Sequence, residues 1–124
     1  MKDVISAQNV SKAIGPYSHA IKFGNMIFTS GQMGVTVEGK FVEGGVAEQT
    51  IKCLENVKAV LEAGGYKMSD VVKTTVFISD MNNFALMNEQ YAKFFEGAFP
   101  ARSCVQVARL PKDALVEIEA IAVK

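Results

Sequence analysis

The fold is decided by the segment LVEIEAIAV, residues 115–123. In a β-strand, successive side chains point to opposite faces. One face of this segment is wholly apolar and consists of Val116, Ile118, Ala120 and Ala122. The other face mixes acids with aliphatic side chains and consists of Leu115, Glu117, Glu119 and Ile121. We expect the apolar face to line the core, and the mixed face to pack against other copies of the chain or against a loop.

Upstream of this strand, the hydrophobic patterns predict two helices and four further strands. Apolar residues at steps of three and four predict a helix over residues 46–63, which Gly64-Gly65 ends. A second helix follows candidate caps at 80–83 and ends at Gly97. Its apolar stripe consists of Phe84, Met87, Tyr91, Phe94 and Phe95. Strands are predicted at residues 17–23, 26–32, 71–79 and 101–108.

A tight hairpin is predicted between the first two of these strands, at the Gly-Asn pair of residues 24–25. Glycine followed by asparagine suits a two-residue type II′ turn. This turn places His19 opposite Ser30 and Tyr17 opposite Gln32. The register therefore gathers polar groups on one face, where a purely structural strand would not need them.

The predicted element order is β-β-α-β-α-β-β, with room for a short strand before Ser6. Two helices can cover only one face of a sheet, so we predict an α+β fold with both helices on that face. A chain of 124 residues fits one domain, residues 1–124. The uncovered face favours a symmetric oligomer.

Composition argues against several classes of function. The 13 basic and 13 acidic residues cancel, and no basic tract marks a nucleic-acid surface. No segment has the length of a membrane span, and the N-terminus lacks a signal-peptide core, so we expect a cytoplasmic protein. One histidine and two separated cysteines argue against a zinc site and a disulfide framework. Phosphate-binding, dinucleotide-binding and serine-hydrolase motifs are absent from the sequence.

Arg102 is the first candidate for chemistry, because it begins an otherwise apolar strand. A guanidinium there must stay in water or find an anion, since burying it unpaired is costly. Its planar fork matches a carboxylate with two parallel hydrogen bonds. The alternative is an internal salt bridge to Glu117 or Glu119, which the residues alone favour.

Acid–base and thiol chemistry have candidates in the same two strands. Glu117 and Glu119 share a strand face, and a carboxylate in a dry interface can act as a general base toward water. Two solvated surface acids are the alternative, which periodicity alone favours. Cys104 shares a face with Arg102, whose charge can lower a thiol pKa. The favoured alternative for Cys104 is a small buried residue.

Four further positions are candidates for lining a ligand site. Tyr17 follows a turn, and its hydroxyl can serve a ligand or be satisfied within the core. Ser30 and Gly31 end a strand, where a glycine permits close backbone approach to a ligand or marks a bulge. Asn88 lies near the apolar stripe of the second helix, where its amide binds a partner or faces solvent.

Several motifs along the chain carry a family resemblance. They are AIGPYS (13–18), GNMIFTSGQ (24–32), VVKTTVF (71–77), FPARSC (99–104), RLPKD (109–113) and VEIEAIA (116–122). Together they resemble the RidA (YjgF) family of reactive-intermediate deaminases. The most specific feature is the Arg-Ser tract followed by Glu-Ile-Glu at this separation.

The resemblance implies a chorismate-mutase-like fold and a homotrimer with clefts at its subunit interfaces. It implies hydrolysis of 2-iminopropanoate and 2-iminobutanoate to 2-oxo acids and ammonia, with no metal or cofactor. Arg102 matches the family's carboxylate-binding arginine, and Glu117 matches the glutamate that holds water near the imine carbon. Tyr17 matches a position lining the cleft, and we expect its hydroxyl to assist proton movement in such a reaction.

The resemblance also assigns ligand contacts to Ser103 and Cys104, and positions lining the cleft to Ser30, Gly31 and Asn88. The chain departs from the family at His19, where a glutamine or a similar residue is expected, and over the variable loop 35–43. Two other functions stay open. The Arg102 cleft could bind a small carboxylate or keto acid without turning it over. An RNA-directed translation inhibitor or ribonuclease is disfavoured by the neutral charge and the lack of a basic aromatic face.

Overall fold

A computed structural model describes all 124 residues and contains one seven-stranded sheet and two α-helices. The elements are β1 (Asp3–Ile5), β2 (Ala20–Phe23), β3 (Met26–Thr29), β4 (Gln32–Met33), α1 (Val46–Ala63), β5 (Val71–Ile78), α2 (Phe84–Ala92), β6 (Ala101–Gln106) and β7 (Val116–Val123). The strand order is β1-β2-β3-β7-β5-β6, and β4 also pairs with β7. Only β5 and β6 run parallel. The predicted α+β class and the short strand before Ser6 are confirmed.

Strand β7 has the face pattern predicted for it. Val116, Ile118, Ala120 and Ala122 are at most 2% exposed and belong to one cluster of 20 buried residues. Helix α1 packs over β3, β4 and β7 and against α2, so we call this side the helix face. On the opposite side, the open face, Ile121 lies beside Phe28, which is 39% exposed. The chain thus leaves large apolar side chains on the open face partly exposed.

Helix α1 has the predicted bounds, and polar residues on its buried side bind backbone groups. Asn56 Nδ2 donates to the carbonyl oxygens of Met33 and Val35 at 3.0 and 2.9 Å. Gln49 Oε1 accepts a hydrogen bond from the Leu115 N–H at 2.9 Å. These bonds fix β4 and the start of β7 relative to the helix.

Helix α2 is shorter than predicted. It ends at Ala92, whereas the apolar stripe predicted that it would continue to Gly97. The N–H groups of Phe94 and Phe95 bond to carbonyls three residues back, so the chain tightens out of the α-helix. Both phenylalanines still pack against the core. The apolar pattern therefore runs past the end of the helix.

The hairpin turn between β2 and β3 is confirmed. Phe23 pairs with Met26 across a two-residue turn. Gly24 has a φ of 61° and is the only residue of the turn with a positive φ, as a type II′ turn requires. The Ser30 N–H donates to the His19 carbonyl at 2.9 Å, so these two residues lie opposite each other as predicted.

Both hairpin strands are shorter than predicted, because the chain leaves the ladder before Ala20 and after Thr29. Gln32 pairs with Ile118 of β7, and Tyr17 has no ladder partner. The predicted pairing of Tyr17 with Gln32 is therefore wrong. The remaining strands end within two residues of their predicted bounds.

The two cysteines are free thiols in different environments. Cys53 on α1 is fully buried, and its Sγ lies 3.5 Å from the Val116 carbonyl oxygen. Burial, followed by the charge of Glu117, raises the pKa of the Cys53 thiol well above its usual range.

Neither helix has the length and apolar character that crossing a lipid bilayer demands.

Candidate active site

Arg102, on the edge strand β6, is half-buried against α2. Its Nη1 donates to Asn88 Oδ1 at 2.7 Å. The guanidinium carbon lies 4.8 Å from the ring centre of Tyr91 and 5.5 Å from that of Phe84. A charge-assisted hydrogen bond and two aromatic rings therefore fix the position of the guanidinium.

The guanidinium of Arg102 has no acidic partner. The internal salt bridge to Glu117 or Glu119 is not formed, and the ion pairs of the chain lie elsewhere. Asn88 engages only one nitrogen, so the other N–H groups are available to an anion. The side chain borders a cavity of about 410 Å³ that we call the Arg102 cavity. It is lined by Asn88, Tyr91, Ala92, Phe99, Pro100 and Arg102.

Tyr91 supports Arg102 and was recognised in the sequence only as part of the apolar stripe. Its hydroxyl lies 2.7 Å from Thr74 Oγ1, and its ring centre lies 4.9 Å from that of Phe95. Burial raises the pKa of Tyr91, against the opposing effects of the Thr74 hydrogen bond and the Arg102 charge. Its spacing from Asn88, three residues along one helix face, is the signal that could have found it.

Ser103 and Cys104 follow Arg102 but point to opposite faces of the sheet. Cys104 packs against the core on the helix face. Burial raises the pKa of its thiol, and the charge of Arg102 offsets this only in part. Ser103 lies on the open face, where its Oγ accepts a hydrogen bond from Lys73 Nζ at 2.9 Å. Cys104 is thus a partly buried residue at the margin of the core, and Ser103 does not line the Arg102 cavity.

A second cavity, of about 470 Å³, brings together Tyr17, Ser30, Gly31 and Glu117. We call it the Glu117 cavity. Its other lining residues are Ser11, Lys12, Ile14, Met33, Val35, Pro111 and Lys112. Tyr17 is 51% exposed, and Ser30 Oγ donates to the Ser18 carbonyl at 2.6 Å. Four of the predicted site residues therefore share one pocket.

Glu117 lies against the backbone of Gly31. A Cβ atom at residue 31 would overlap the Glu117 carboxylate, so the glycine gives this carboxylate its room. Burial raises the pKa of Glu117, and the charge of Glu119 raises it further. A carboxylate with a raised pKa holds a proton more readily, which suits a general base toward water.

The Arg102 side chain and the Glu117 side chain lie on opposite faces of the sheet. Arg102 pairs with Thr74 of β5, whose side chain is buried on the helix face. Glu117 pairs with Phe77 of the same strand. Residues three apart on a strand point to opposite faces. A single chain therefore does not bring Arg102 and Glu117 to one small ligand.

The loop between β6 and β7 contributes to the site a cation that was not predicted from the sequence. Lys112 lines the Glu117 cavity. Lys112 and Asp113 have φ values of 56° and 59°, a left-handed conformation that is costly for residues with a side chain. Arg109 closes this loop with two hydrogen bonds to the Asp113 carboxylate, at 2.6 and 3.1 Å. The RLPKD motif is the signal that marks this loop.

His19 binds only backbone groups. It is 6% exposed, its Nδ1 accepts the Ala7 N–H at 3.0 Å, and its Nε2 lies 2.9 Å from the Ser11 carbonyl. No group of three or more His, Cys, Asp or Glu side chains is placed to hold a metal ion. The only histidine therefore has both ring nitrogens in use.

Comparisons with known proteins cover the whole of this chain. Residues 7–124 match the family described as Endoribonuclease L-PSP. A RutC family protein of Pyrococcus horikoshii is 54% identical over 125 residues, covering 100% of this chain and 99% of that protein. The 2-iminobutanoate/2-iminopropanoate deaminase of Escherichia coli K12 is 52% identical over 127 residues, with coverage of 100% and 99%. The crystal structure of Escherichia coli TdcF with bound serine matches with a TM-score of 0.94 at 48% identity, over 98% of each chain.

Proposed function

Because the chain belongs to the Endoribonuclease L-PSP family, the same family as RidA and YjgF, we propose that it hydrolyses 2-iminopropanoate and 2-iminobutanoate. The products are the matching 2-oxo acids and ammonia. The observation that carries the proposal is the guanidinium of Arg102, held in place without an acidic partner beside an open cavity. The relative from Escherichia coli that is 52% identical bears the name of this activity.

Recognition of the substrate begins with its carboxylate, which the free N–H groups of Arg102 bind as a fork. The imine carbon is attached directly to that carboxylate, so the fork also fixes the position of the reacting atom. Asn88 and Tyr91 hold the guanidinium before the substrate arrives. Little reorganisation of the protein then accompanies binding.

The chemical step is the addition of water to the carbon of the imine, whose nitrogen is protonated. Glu117 orients the water and accepts one of its protons, and its raised pKa favours this transfer. The water oxygen bonds to carbon, and the carbon–nitrogen double bond becomes single, which gives a carbinolamine. Glu117 returns the proton to the nitrogen, assisted by Tyr17, and the carbon–nitrogen bond breaks. Ammonia leaves, and the hydroxyl gives up its proton to water and becomes the ketone of the 2-oxo acid.

The reaction takes place, in this proposal, in clefts between the subunits of a homotrimer. Arg102 and Glu117 lie on opposite faces of one chain, so a second copy must supply one of them. The partly exposed apolar side chains of the open face give such copies a surface to bury. The cleft then joins the Arg102 cavity of one copy to the Glu117 cavity of the next.

The protein needs no cofactor for this reaction and works in the cytoplasm, in the same proposal. These imines hydrolyse in water unaided, so the required acceleration is small. Positioning and one general base, which contributes about 10²–10⁴-fold, are sufficient. Its two cysteines are free thiols in different parts of the fold, which supports a location in a reducing compartment.

The proposal is tested with a coupled assay. A threonine dehydratase generates the imine in the presence of semicarbazide, a competing trap, and formation of the semicarbazone is followed. The wild-type protein should suppress the trapped signal, and Arg102→Ala should not. Lys93→Ala is the matched control, because Lys93 is an exposed cation whose ammonium binds only Gln90 at the end of α2.

Two results would redirect the proposal. If wild type leaves the semicarbazone signal unchanged but binds 2-oxo acids through Arg102, the chain is a carboxylate-binding module. If it binds RNA with a steep salt dependence, the nuclease in the family's description becomes the better function. The net charge of zero gives that second outcome no support.

A further inference from the structure

His19 attaches the N-terminal segment of residues 7–11 to the sheet. Its Nδ1 accepts the N–H of Ala7, and its Nε2 lies within hydrogen-bond distance of the Ser11 carbonyl. An imidazole nitrogen accepts a hydrogen bond only while it carries no proton. The ring is therefore neutral, with its proton on Nε2, and it binds both ends of this segment at once.

The chain that His19 holds continues into one wall of the Glu117 cavity. Four residues of that wall come from this part of the chain: Ser11, Lys12, Ile14 and Tyr17. The His19 carbonyl also accepts the N–H of Ser30, which belongs to another wall. His19 itself does not line the Glu117 cavity. It therefore lies behind the site and supports two of its walls.

Acid removes the acceptor on which this support depends. A protonated ring carries an N–H on both nitrogens, so Nδ1 would then face the Ala7 N–H as a second donor. Lys12 and Glu38 are the charged side chains that share a cavity of about 610 Å³ with His19. Neither is hydrogen-bonded to the ring, and no carboxylate pairs with it.

We propose that His19 is a positioning residue for the Glu117 cavity, and that its neutral ring makes the site sensitive to acid. The inference rests on the proposed hydrolysis for its effect on activity. Protonation of His19 releases Ala7 and leaves the segment bound to the ring only at the Ser11 carbonyl, which loosens the wall that carries Ser11 and Tyr17 and lowers turnover. The substrate never touches the ring.

Glutamine is the replacement that separates positioning from acid sensitivity. Its amide offers one oxygen acceptor and one nitrogen donor, so it can bind both Ala7 and Ser11. It does not titrate. Alanine offers neither group. His19→Gln should therefore keep the wall in place at every pH, and His19→Ala should release it at every pH.

The experiment measures pH profiles of kcat/KM for wild type, His19→Gln and His19→Ala, with an enzyme-free control at each pH. Protonation of Glu117, the proposed general base, lowers the activity of all three proteins in acid. In the pH range where His19 is protonated, the kcat/KM of wild type should fall about tenfold more for each unit of decreasing pH than that of His19→Gln. His19→Ala should be weak even at pH 8. Coincident profiles for wild type and His19→Gln would overturn the inference.

A second measurement does not depend on catalysis. In the wild-type protein, NMR follows the His19 ring, the Ala7 amide and the Tyr17 side chain during acidification. The three should change with one midpoint, and exchange of the Ala7 amide with solvent should rise at the same pH. If Ala7 and Tyr17 stay constant while the ring titrates, the inference is wrong even if the protein is an active deaminase. If they follow the ring and no deaminase activity exists, only the proposed function fails.

Discussion

Mixing two inactive variants tests whether Arg102 and Glu117 act from different subunits. Arg102→Ala removes the proposed carboxylate fork, and Glu117→Gln removes the proposed general base, a group that ordinarily contributes about 10²–10⁴-fold. Each variant alone should be nearly inactive while remaining folded, because neither side chain is part of the buried core. The strand faces of the structure predict that their mixture is not inactive.

The size of the recovery follows from the arrangement. If each cleft takes Arg102 from one copy and Glu117 from the next, half of the copies in an equal mixture supply each intact residue. Both intact residues then meet in about a quarter of the clefts. The variants are unfolded together, refolded and assayed by semicarbazide competition, and the activity should approach about a quarter of the wild-type value.

The matched control is the double variant, Arg102→Ala with Glu117→Gln, mixed equally with wild type. Clefts built between copies again leave about a quarter of the sites intact. Clefts built within one copy would instead leave about half intact in this control and none in the mixture of single variants. Zero recovery from the single variants, together with half activity in the control, would refute the divided site.

Three further predictions test the local geometry. Glu119→Gln removes a negative charge that raises the pKa of Glu117, so the acid limb of the pH profile should move to lower pH. Burial, which is the larger cause of the raised pKa of Glu117, is unchanged in this variant. Gly31→Ala should lower kcat more than it raises KM, because the new methyl group displaces the Glu117 carboxylate. Tyr91→Phe leaves the buried Thr74 hydroxyl without its partner and should cost about 1–3 kcal/mol in urea unfolding.

Much of the fold was predictable because local patterns determine it. The alternation in β7 and the period of α1 gave the correct buried faces, and the Gly-Asn pair gave the correct turn. The end of α2 was not predictable from apolar pattern alone. Phe94 and Phe95 bury their rings from a tightened turn as well as they would from a helix.

The residues of the candidate site could be named from the sequence, but their arrangement could not. Pattern and resemblance named Arg102 and Glu117, yet the residues alone favoured a salt bridge between such groups. That contact is excluded by strand pairing, which sets Arg102 beside Thr74 and Glu117 beside Phe77. Pairing partners distant in the chain cannot be read from one strand. The contact between Arg102 and Tyr91 was not predicted either, because it joins two elements that are separate along the chain.

The hydrogen bond of Arg102 to the Asn88 amide and its contacts with two aromatic rings have a thermodynamic consequence for binding. A free arginine side chain has about 2 kcal/mol of rotamer entropy to lose when it is immobilised. Here Asn88 and Tyr91 restrict those rotamers during folding, so that loss does not oppose the capture of a ligand. Calorimetry of 2-oxobutanoate binding should therefore show a smaller unfavourable conformational entropy in wild type than in Asn88→Ala. The folded chain thus holds Arg102 in place before binding, which favours a higher affinity for small anions.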